Sequence, residues 1–547
     1  MQRLAILAAV ASLLLALGGT VQAAPAAPTA PPALKVGVLG TFGSLNPLLY
    51  TTQAAADVLG ATSDGLMSYR PANASGRLRY VWRPDLLATA PRITIVGTPG
   101  PKAEVTIVYR LRRGLRWSDG KPLTSKDIRF TWQAIMAPSN GAYQAGYNQI
   151  TSIDTPDRLT AVVHMHGTFA AWQTLFSALL PWHVLHTRLT AIATDKSYNR
   201  HPLATGPYAV HQYGGSDVVL VPNPYYAGQD GPRPTFKDIV VSSYSQQADL
   251  VAALQKHELD LGDLLALSTR TVHALRPQHL AVASVPSTVF EQFTFNLSDP
   301  VASDLSVRQA FYLALNRQQI AARISGGRWQ VATSDQPPWS WAYNAKVPVV
   351  KQNIAQARSI LQQDGWQVGS DGYFQKNGQE LVLDVSLTHT PLHAALMKYV
   401  SSEEASAGIR VLPMYFSTQA LFGPNGMFAQ GTFQVGEFGL MDNIDPDDAA
   451  IWNSALGSPY HQGDDFSNYQ NPEVNTWTQD ALDQMNQSLR AQDYRQVQMQ
   501  LYRDLPMVPL FYVSTETVYN PRQISHVAMS AYSGTLWNAN AWVPPKK

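Results

Sequence analysis

The chain has 547 residues, which is enough for more than one domain, because a single hydrophobic core stops growing at about 250 to 300 residues. Its 40 lysines and arginines balance 39 aspartates and glutamates, so we expect neither a basic surface for nucleic acid nor an acidic tail. The absence of cysteine predicts a protein without disulfides and without a lipid-bearing cysteine.

The N-terminus has the pattern of an export signal. Arg3 precedes an apolar run over residues 4–17, and Val21-Gln22-Ala23 suits a cleavage site. The run is shorter than the about 20 residues of a membrane-spanning helix. We therefore expect a signal peptide over residues 1–23, followed by a disordered leader rich in proline and alanine over residues 24–33.

The clearest local unit of the chain is a strand, a turn and a helix. Alternating apolar and polar residues over 105–112 predict a strand with one buried face. A turn follows over residues 118–122. Thr124 and Asp127 have the spacing of a capping box, so a helix should begin there and end before Pro138.

Other segments show similar periodicity and punctuation. In chain order, they predict a strand over residues 34–40, a helix over 53–66, a hairpin that turns at Gly214-Gly215, a helical face that begins at Val307 with a stop at Gly326-Gly327, a helix over 354–363, a strand over 381–388 and a helix over 392–407. Strands and helices alternate, which favours an α/β protein.

Three blocks of sequence resemble signatures of a known family. They run from Tyr109 to Trp132, from Thr205 to Tyr226 and from Phe293 to Gly327. They are similar, in the same order, to blocks of the family 5 extracellular solute-binding proteins, the peptide, nickel and opine receptors of ABC importers. The resemblance covers nearly all of the chain after the leader.

The resemblance implies an α/β, two-lobed, periplasmic-binding-protein-like (Venus-flytrap) fold with mixed sheets and an extra inserted domain. Lobe I would comprise residues 34–69, 196–285 and 510–547, domain II would be an insertion over residues 70–195, and lobe II, the third domain, would span residues 286–509. Ligand would bind between the lobes, where a hinge lets the cleft close.

The main candidate for ligand binding is Asp442, in a segment rich in aspartate. Asp445 and Pro446 have the pattern of a helix start, with Asp445 as N-cap and Pro446 in the first helical position. Asp442 lies outside this cap. In the peptide-binding members of the family that the chain resembles, an aspartate at this offset from the proline holds the α-amino group of the peptide. The alternative is a loop aspartate in an Asx turn.

Five further residues complete the expected binding site. The peptide receptors usually carry a tryptophan three residues before this aspartate, where the chain has Gly439, and Phe438 would take over part of the aromatic wall. Asn296 keeps a position of the third family block. Trp339 and Trp341 occupy a family loop that would line the cleft, although aromatic packing of a long loop explains them equally well.

A metal site and a catalytic site are not expected. His164 and His166 point the same way on a strand, yet no third ligand is recognisable near them, so two exposed histidines are the preferred interpretation. The chain contains no GxSxG, HExxH, P-loop or GxGxxG signature. We therefore expect no metal, no cofactor and no enzymatic activity.

The resemblance implies a periplasmic, soluble and lipid-free binding protein of an ABC importer. It would bind di- or oligopeptides and deliver them to permease subunits in the inner membrane, as a monomer and without nucleic acid. A nickel chelate, glutathione, an opine or a sugar are alternative ligands on the same fold. A secreted hydrolase is the alternative from another class, and turnover of a peptide would identify it.

The export signal leads to a first testable prediction. Mature protein from the periplasm should begin at Ala24, because cleavage after Ala23 avoids a proline at the following position, and it should carry no lipid. Intact mass and N-terminal sequencing measure both properties. An uncleaved chain retained in the membrane would contradict the prediction.

Overall fold

The structure is a computed structural model that describes residues 33–74, 77–228, 231–423, 425–441, 443–455 and 465–545. The predicted signal peptide, nearly all of the predicted leader and Asp442 lie outside the described residues.

The strands are β1 (Leu34–Leu39), β2 (Met67–Ala74), β3 (Arg77–Pro84), β4 (Arg92–Val96), β5 (Glu104–Arg110), β6 (Ile150–Asp157), β7 (Thr160–His166), β8 (Tyr208–Tyr213), β9 (Asp217–Pro222), β10 (Ile239–Tyr244), β11 (Leu261–Leu265), β12 (Ala281–Phe295), β13 (Gln330–Val331), β14 (Gln367–Val368), β15 (Phe374–Lys376), β16 (Gln379–Glu380), β17 (Val382–Thr388), β18 (Arg410–Phe416), β19 (Val435–Met441) and β20 (Met507–Tyr519).

The α-helices are α1 (Gln53–Thr62), α2 (Ser125–Met136), α3 (Trp182–Leu185), α4 (Lys196–Arg200), α5 (Gln247–Gln255), α6 (Thr269–Leu275), α7 (Leu305–Ala314), α8 (Arg317–Ser325), α9 (Ile354–Gln363), α10 (Pro391–Ala407), α11 (Thr418–Phe422), α12 (Met427–Gln430), α13 (Ala449–Trp452), α14 (Pro472–Asp483) and α15 (Gln487–Asp504).

One mixed sheet runs through both lobes of the molecule. Its order is β18-β17-β19-β12-β20-β11-β1-β10-β9-β8, with β13 beside β20. β1 is parallel to β10 and β11, and β17 is parallel to β18 and β19, whereas β12 and β20 are antiparallel to their neighbours. Separate hydrophobic cores pack against the two ends of this sheet, so the expected two-lobed α/β fold is confirmed.

β12 and β20 are the only strands of the described chain that take part in both lobes. Residues 281–286 of β12 pair with the end of β20, next to β11, and residues 290–294 pair with its beginning, next to β19. The register shifts between Pro286 and Phe290. A shift of this kind interrupts the ladder and bends the strand. The lobe boundaries expected from the sequence stay a prediction.

The segment between the first two pieces of lobe I has a sheet and a core of its own. Its four antiparallel strands have the order β4-β5-β7-β6, and α2 packs on them. The predicted capping box of α2 is present: the Thr124 amide donates to Asp127 Oδ2 at 2.7 Å. The helix ends at Met136, before Pro138, as predicted.

Two predicted helices differ from the observed ones. α1 ends at Thr62 rather than at Leu66, because the Leu66 amide donates to the carbonyl of Phe176 (2.9 Å) in the inserted segment. The continuous helical face that begins at Val307 is divided into α7 and α8. Asn316 ends the continuity, since its side chain caps α8 by accepting from the Gln319 amide (3.0 Å).

The core of lobe II encloses a carboxyl group on α10. Glu404 is fully buried, and neither of its carboxylate oxygens has a hydrogen-bond partner among the described residues. Burial raises the pKa of Glu404 well above its ordinary value, and the charge of Glu403 raises it further. The folded protein therefore holds Glu404 in its neutral form at a pH where the unfolded chain has ionised it.

The Glu404→Gln variant should lose part of the pH dependence of stability. The folded pKa lies above the unfolded value of about 4.3, so the contribution of this carboxyl is complete below that pH and is lost as the pH rises toward the folded pKa. The free energy of unfolding in urea should therefore shift in favour of the variant between about pH 4 and pH 8, by about 1.4 kcal/mol for each pKa unit of the shift.

Glu258→Gln provides the control, because Glu258 is exposed and its substitution should leave the pH profile unchanged. Parallel profiles for the wild type and Glu404→Gln would contradict the prediction.

Candidate functional site

The candidate site lies around β19, in the middle of the sheet. β17 and β19 are parallel, so their carboxyl ends meet at one edge of the sheet, the edge where ligands bind in open α/β sheets. Residues 437, 439 and 441 share one face of β19, and Phe438 lies on the other. Gly439 and Met441 are exposed, and Met441 directly precedes Asp442.

β19 has an open edge over its last five residues. On one side it pairs with β12 along its whole length, from Val435 to Met441. On the other side, within the described residues, β17 pairs with it only at Val435 and Gly436. β17 therefore leaves the backbone from Glu437 to Met441 unpaired on that side, and the accessible part of this stretch begins at Gly439, because Glu437 and Phe438 are buried.

The side chain of Phe438 belongs to an aromatic cluster that is buried at Phe428 and Phe438 and reaches the surface at Phe422. Its ring centroid lies 5.5 Å from that of Phe422, 5.1 Å from that of Phe428 and 5.7 Å from that of Phe466. Phe438 itself is buried. The cluster supports β19 from the face opposite Gly439, and contact between Phe438 and a ligand stays a prediction.

Gly439 makes room for a carboxylate of the neighbouring strand. It lies opposite Glu291 of β12 in the ladder. A Cβ atom at position 439 would lie 3.2 Å from Glu291 Oε1 and 2.9 Å from Val289 Cγ1. A large side chain at this position, such as the tryptophan of the peptide receptors, would therefore have to displace Glu291.

Glu291 is part of a buried group of three titratable side chains. Glu437 lies diagonally across the ladder on the same face, and His393 comes from the first turn of α10. The ligand atoms of the three residues all lie within 4.8 Å of one another. Because the strands and the helix come from distant parts of the sequence, only the fold brings them together.

The electrostatics of this group are dominated by burial. Burial raises the pKa of Glu291 to about 7. Burial raises the pKa of Glu437 well above its ordinary value, and the neighbouring charge of Glu291 raises it further. The pKa of His393 is lowered, again chiefly by burial. The three groups favour their neutral forms in the absence of a cation.

The sequence analysis missed these three residues. A signal existed for the glutamates: Glu291 shares the strand period of Phe293 and Phe295, and Glu437 shares that of Val435, so both carboxylates fall at core-facing positions. A charge at such a position is rare unless it has a partner. No local pattern distinguishes His393 from other histidines.

The side chain of Asn296, which follows β12, is hydrogen-bonded to the loop that precedes β19. Its side-chain amide donates to the carbonyls of Gly431 (3.0 Å) and Phe433 (2.8 Å), and its Oδ1 accepts from the Ser298 amide (3.1 Å). It also lines a cavity of about 430 Å³ that includes Ser386 of β17. The expected role of Asn296 in ligand binding stays a prediction.

The two tryptophans of the candidate site pack in different places. The ring of Trp339 is buried against Tyr512 of β20, with centroids 5.1 Å apart. Trp341 lies 5.8 Å from Tyr494 and faces the guanidinium of Arg490 at 5.0 Å. Packing therefore accounts for both rings, and their contact with a ligand stays a prediction.

The expected helix start at Asp445 is wrong. α13 begins only at Ala449, and Asp445 instead forms a buried ion pair with Arg490 of α15, whose Nη1 donates to its Oδ2 at 3.0 Å. Arg490 also donates to the carbonyls of Pro446 (3.2 Å) and of Ala170 (3.1 Å) in the inserted segment. The segment after Asn443 is thereby tied to lobe II and to the insertion.

His164 and His166 of β7 each lie next to a different carboxylate. His164 Nε2 lies 3.2 Å from Asp154 Oδ2, and His166 Nδ1 lies 3.0 Å from Glu104 Oε1. Both pairs are well exposed. Among the described residues, the three-residue group that could hold a metal ion is the one at Glu291 and not one at these histidines.

Comparison with known proteins identifies the family. The family model described as the bacterial extracellular solute-binding proteins, family 5, middle region, matches residues 103–462. Because this match covers more than half of the chain, the chain belongs to that family, whose members are binding proteins rather than enzymes. None of the described helices is long and apolar enough to cross a membrane.

Individual relatives agree with this assignment. A Brucella ovis protein named as an ABC transporter peptide-binding protein is 26% identical over 329 residues, which cover 58% of this chain and 58% of that protein. The oligopeptide-binding protein AppA of Bacillus subtilis is 23% identical over 418 residues, 74% of each chain. The match to the Brucella protein thus spans less than two thirds of its length.

Solved structures share the fold over nearly the whole chain. The structure of Bacillus subtilis AppA with a nonapeptide has a TM-score of 0.68 at 20% identity and covers 94% of this chain and 99% of that chain. The structure of NikZ from Campylobacter jejuni in complex with Ni(L-His) has a TM-score of 0.72 at 20% identity, covering 93% and 99%. At this identity the likeness concerns the fold.

Proposed function

We propose that the chain is the substrate-binding component of an ABC importer and that it binds di- or oligopeptides in a cleft between the two lobes. The exposed end of β19, from Gly439 to Met441, which pairs with β12 on one side and is left unpaired by β17 on the other, is the observation that carries this proposal. The AppA relative, which is named for oligopeptide binding and has been solved with a nonapeptide, supports it.

An open strand edge suits a peptide because the backbone of a peptide can pair with it. Main-chain hydrogen bonds of this kind supply affinity independently of sequence, and pockets beside the strand then set the preference for side chains. Gly439 keeps side-chain bulk away from the exposed end of β19. The peptide would then extend the sheet of lobe II on the side where β17 stops pairing.

Asp442 is the proposed partner of the α-amino group of the peptide. It follows the last residue of β19 directly in the sequence, and the proposed binding mode has the N-terminus of the peptide at this end of the strand. A charge pair enclosed in a closed cleft is desolvated, which makes both partners necessary. Phe438, Gly439, Asn296, Trp339 and Trp341 complete the proposed site.

Closure of the cleft would follow from the way the lobes are connected. Two strands, β12 and β20, link them, and the ladder between these strands is interrupted at residues 287–289. A ligand that contacts both lobes binds the closed state more tightly than the open one, so it shifts the population toward closure. The domain boundaries given in the sequence analysis define the lobes that would move.

The closed form would be recognised by permease subunits in the inner membrane. The export signal and the absence of cysteine favour a free periplasmic monomer without a lipid anchor.

A nickel chelate, glutathione, an opine or a sugar are the other ligands that the fold accommodates. Recovery of intact peptide after saturable binding would separate a receptor from a hydrolase.

The Asp442→Asn variant should weaken peptide binding. Loss of one partner of a desolvated charge pair costs about 2 to 5 kcal/mol, which corresponds to roughly 30-fold or more in Kd. N-acetylation of the peptide should weaken wild-type binding similarly, and the two changes together should cost less than their sum. Calorimetric titration of both proteins with free and acetylated peptide measures these effects.

Asp249→Asn, a substitution of an exposed aspartate on α5, is the control and should bind both peptides as the wild type does. Equal affinities for all combinations would show that Asp442 is a plain loop residue, and the peptide proposal would lose the residue on which it depends most.

Peptide should also make the molecule more compact. A ligand that bridges both lobes favours the closed state selectively, so the radius of gyration from small-angle X-ray scattering should fall on addition of saturating peptide. Asp442→Asn at the same peptide concentration, below its own Kd, should keep the larger radius. An unchanged radius for the saturated wild type would indicate a rigid site.

A further inference from the structure

The group formed by Glu291, His393 and Glu437 has no assigned role in peptide binding. Glu437 is fully buried, Glu291 is 5% exposed and His393 is 9% exposed. Within the described part of the chain, the hydrogen bond open to the Glu437 carboxyl and to Oε2 of Glu291 is the one between the two side chains, which requires that one of them carries a proton. Neither glutamate forms an ion pair with a lysine or an arginine there, and the ion-pair contact of Glu437 is with His393.

Two acidic groups that share a buried site are unfavourable when both are ionised, and in the absence of a cation Glu291 and Glu437 avoid this by sharing a proton in the hydrogen bond between them. An unpaired buried carboxyl group costs desolvation free energy, and two of them together repel each other when ionised. A cation between them would satisfy both. The nitrogen ligand that His393 adds to the two carboxyl groups determines which type of cation fits the site.

His393 is oriented as a metal-ligating histidine is. Its Nδ1 lies 2.8 Å from the carbonyl oxygen of Thr388, at the end of β17. The hydroxyl of Thr388 lies 3.0 Å from the same Nδ1. A carbonyl can only accept, whereas a hydroxyl can donate or accept, so a proton on Nδ1 suits both contacts and leaves the lone pair on Nε2. Hydrogen bonding of the second ring nitrogen to a backbone carbonyl is the usual support of a ligating histidine.

The free Nε2 of His393 faces the carboxylates. It lies 3.5 Å from Glu437 Oε2, and all three ligand atoms fall within 4.8 Å of one another. Metal–ligand bonds of about 2.1 Å to oxygen and nitrogen separate the ligands of a tetrahedral ion by about 3.4 Å. The contact between His393 and Glu437 already has this length, and the ligand atom of Glu291, which lies within 4.8 Å of the other two, would have to move closer to them to bind the same ion.

We propose that Glu291, His393 and Glu437 form a binding site for a divalent transition-metal ion of the Zn²⁺ type. Two carboxylates and one imidazole balance the charge of the ion and match its preference for nitrogen and oxygen ligands. Three protein ligands leave a coordination position open. Gly439 lies directly beside Glu291 and is exposed, so the open position can be reached from the surface of β19.

The test is a titration with Zn²⁺ alone, without peptide, so that its outcome is independent of the proposed function. Full-length mature protein without a polyhistidine tag is stripped with EDTA, and Zn²⁺ is added in competition with a chromophoric chelator. The wild type should bind one ion per chain. The variants E437Q and E291Q keep the side-chain shape but lose a charged ligand, so each should bind at least about 100-fold more weakly.

The histidines of β7 supply the matched control. The double variant H164Q/H166Q removes two exposed histidines, each of which lies next to a carboxylate, and it should bind Zn²⁺ as the wild type does. Loss of binding in this variant, or unchanged binding in E437Q, would overturn the proposal. Failure of the wild type to bind one equivalent would do the same.

Two further measurements distinguish the loss of a metal ligand from misfolding of a variant. Saturating Zn²⁺ should raise the Tm of the wild type and of H164Q/H166Q but not that of E437Q, because a ligand of the native state stabilises it. X-ray absorption of Zn²⁺-loaded wild type should show one imidazole and oxygen ligands at about 2.0 to 2.2 Å. A site without an imidazole would exclude His393 and overturn the assignment.

Discussion

The antiparallel pairing of β12 with β20 is the interaction on which the rest of the structure depends. β12 has fifteen residues and β20 has thirteen, and each is long enough to enter both lobes. Between them they join two sets of parallel strands into one sheet. Parallel strands need crossover connections, so the helices that cover each lobe follow from this arrangement. The register of this pairing is irregular between Pro286 and Phe290 and again between Glu291 and Gln292, so the regular ladder is interrupted where the two lobes meet.

The same strand that connects the lobes also builds the candidate site. β12 pairs with β19 from Val289 to Phe295, which leaves only the other edge of β19 for a peptide. It also brings Glu291 opposite Gly439. The position that the sequence marks as a departure from the peptide receptors is therefore occupied by a neighbouring carboxylate. The absence of a side chain at Gly439 and the position of the Glu291 carboxylate are therefore linked, because a Cβ atom at 439 would lie 3.2 Å from Glu291 Oε1.

Local elements could be predicted from the sequence because their causes are local. The helix over residues 354–363 and the capping box of Thr124 depend on residues within a few positions of one another. The start of α13 was mispredicted for the opposite reason. Asp445 has the local pattern of an N-cap, yet Arg490, 45 residues away, forms a stronger ion pair with it. The glutamates of the metal-site candidate likewise become partners only when β12 and β19 pair.

Two buried carboxyl groups of lobe II show that burial alone does not indicate a metal site. The arrangement of neighbouring ligand atoms does. Glu404 and Glu437 are both fully buried, and within the described chain neither meets a hydrogen-bond donor other than the Glu291 carboxyl beside Glu437. Glu404 has only Glu403 as a charged neighbour and an apolar core around it, so protonation is its way to avoid an unfavourable charge. Glu437 has a second carboxylate, an imidazole nitrogen with a free lone pair and an exposed glycine next to them. The ligand atoms of that group converge and lie next to an exposed residue, which is the geometry on which the proposal of a metal site depends.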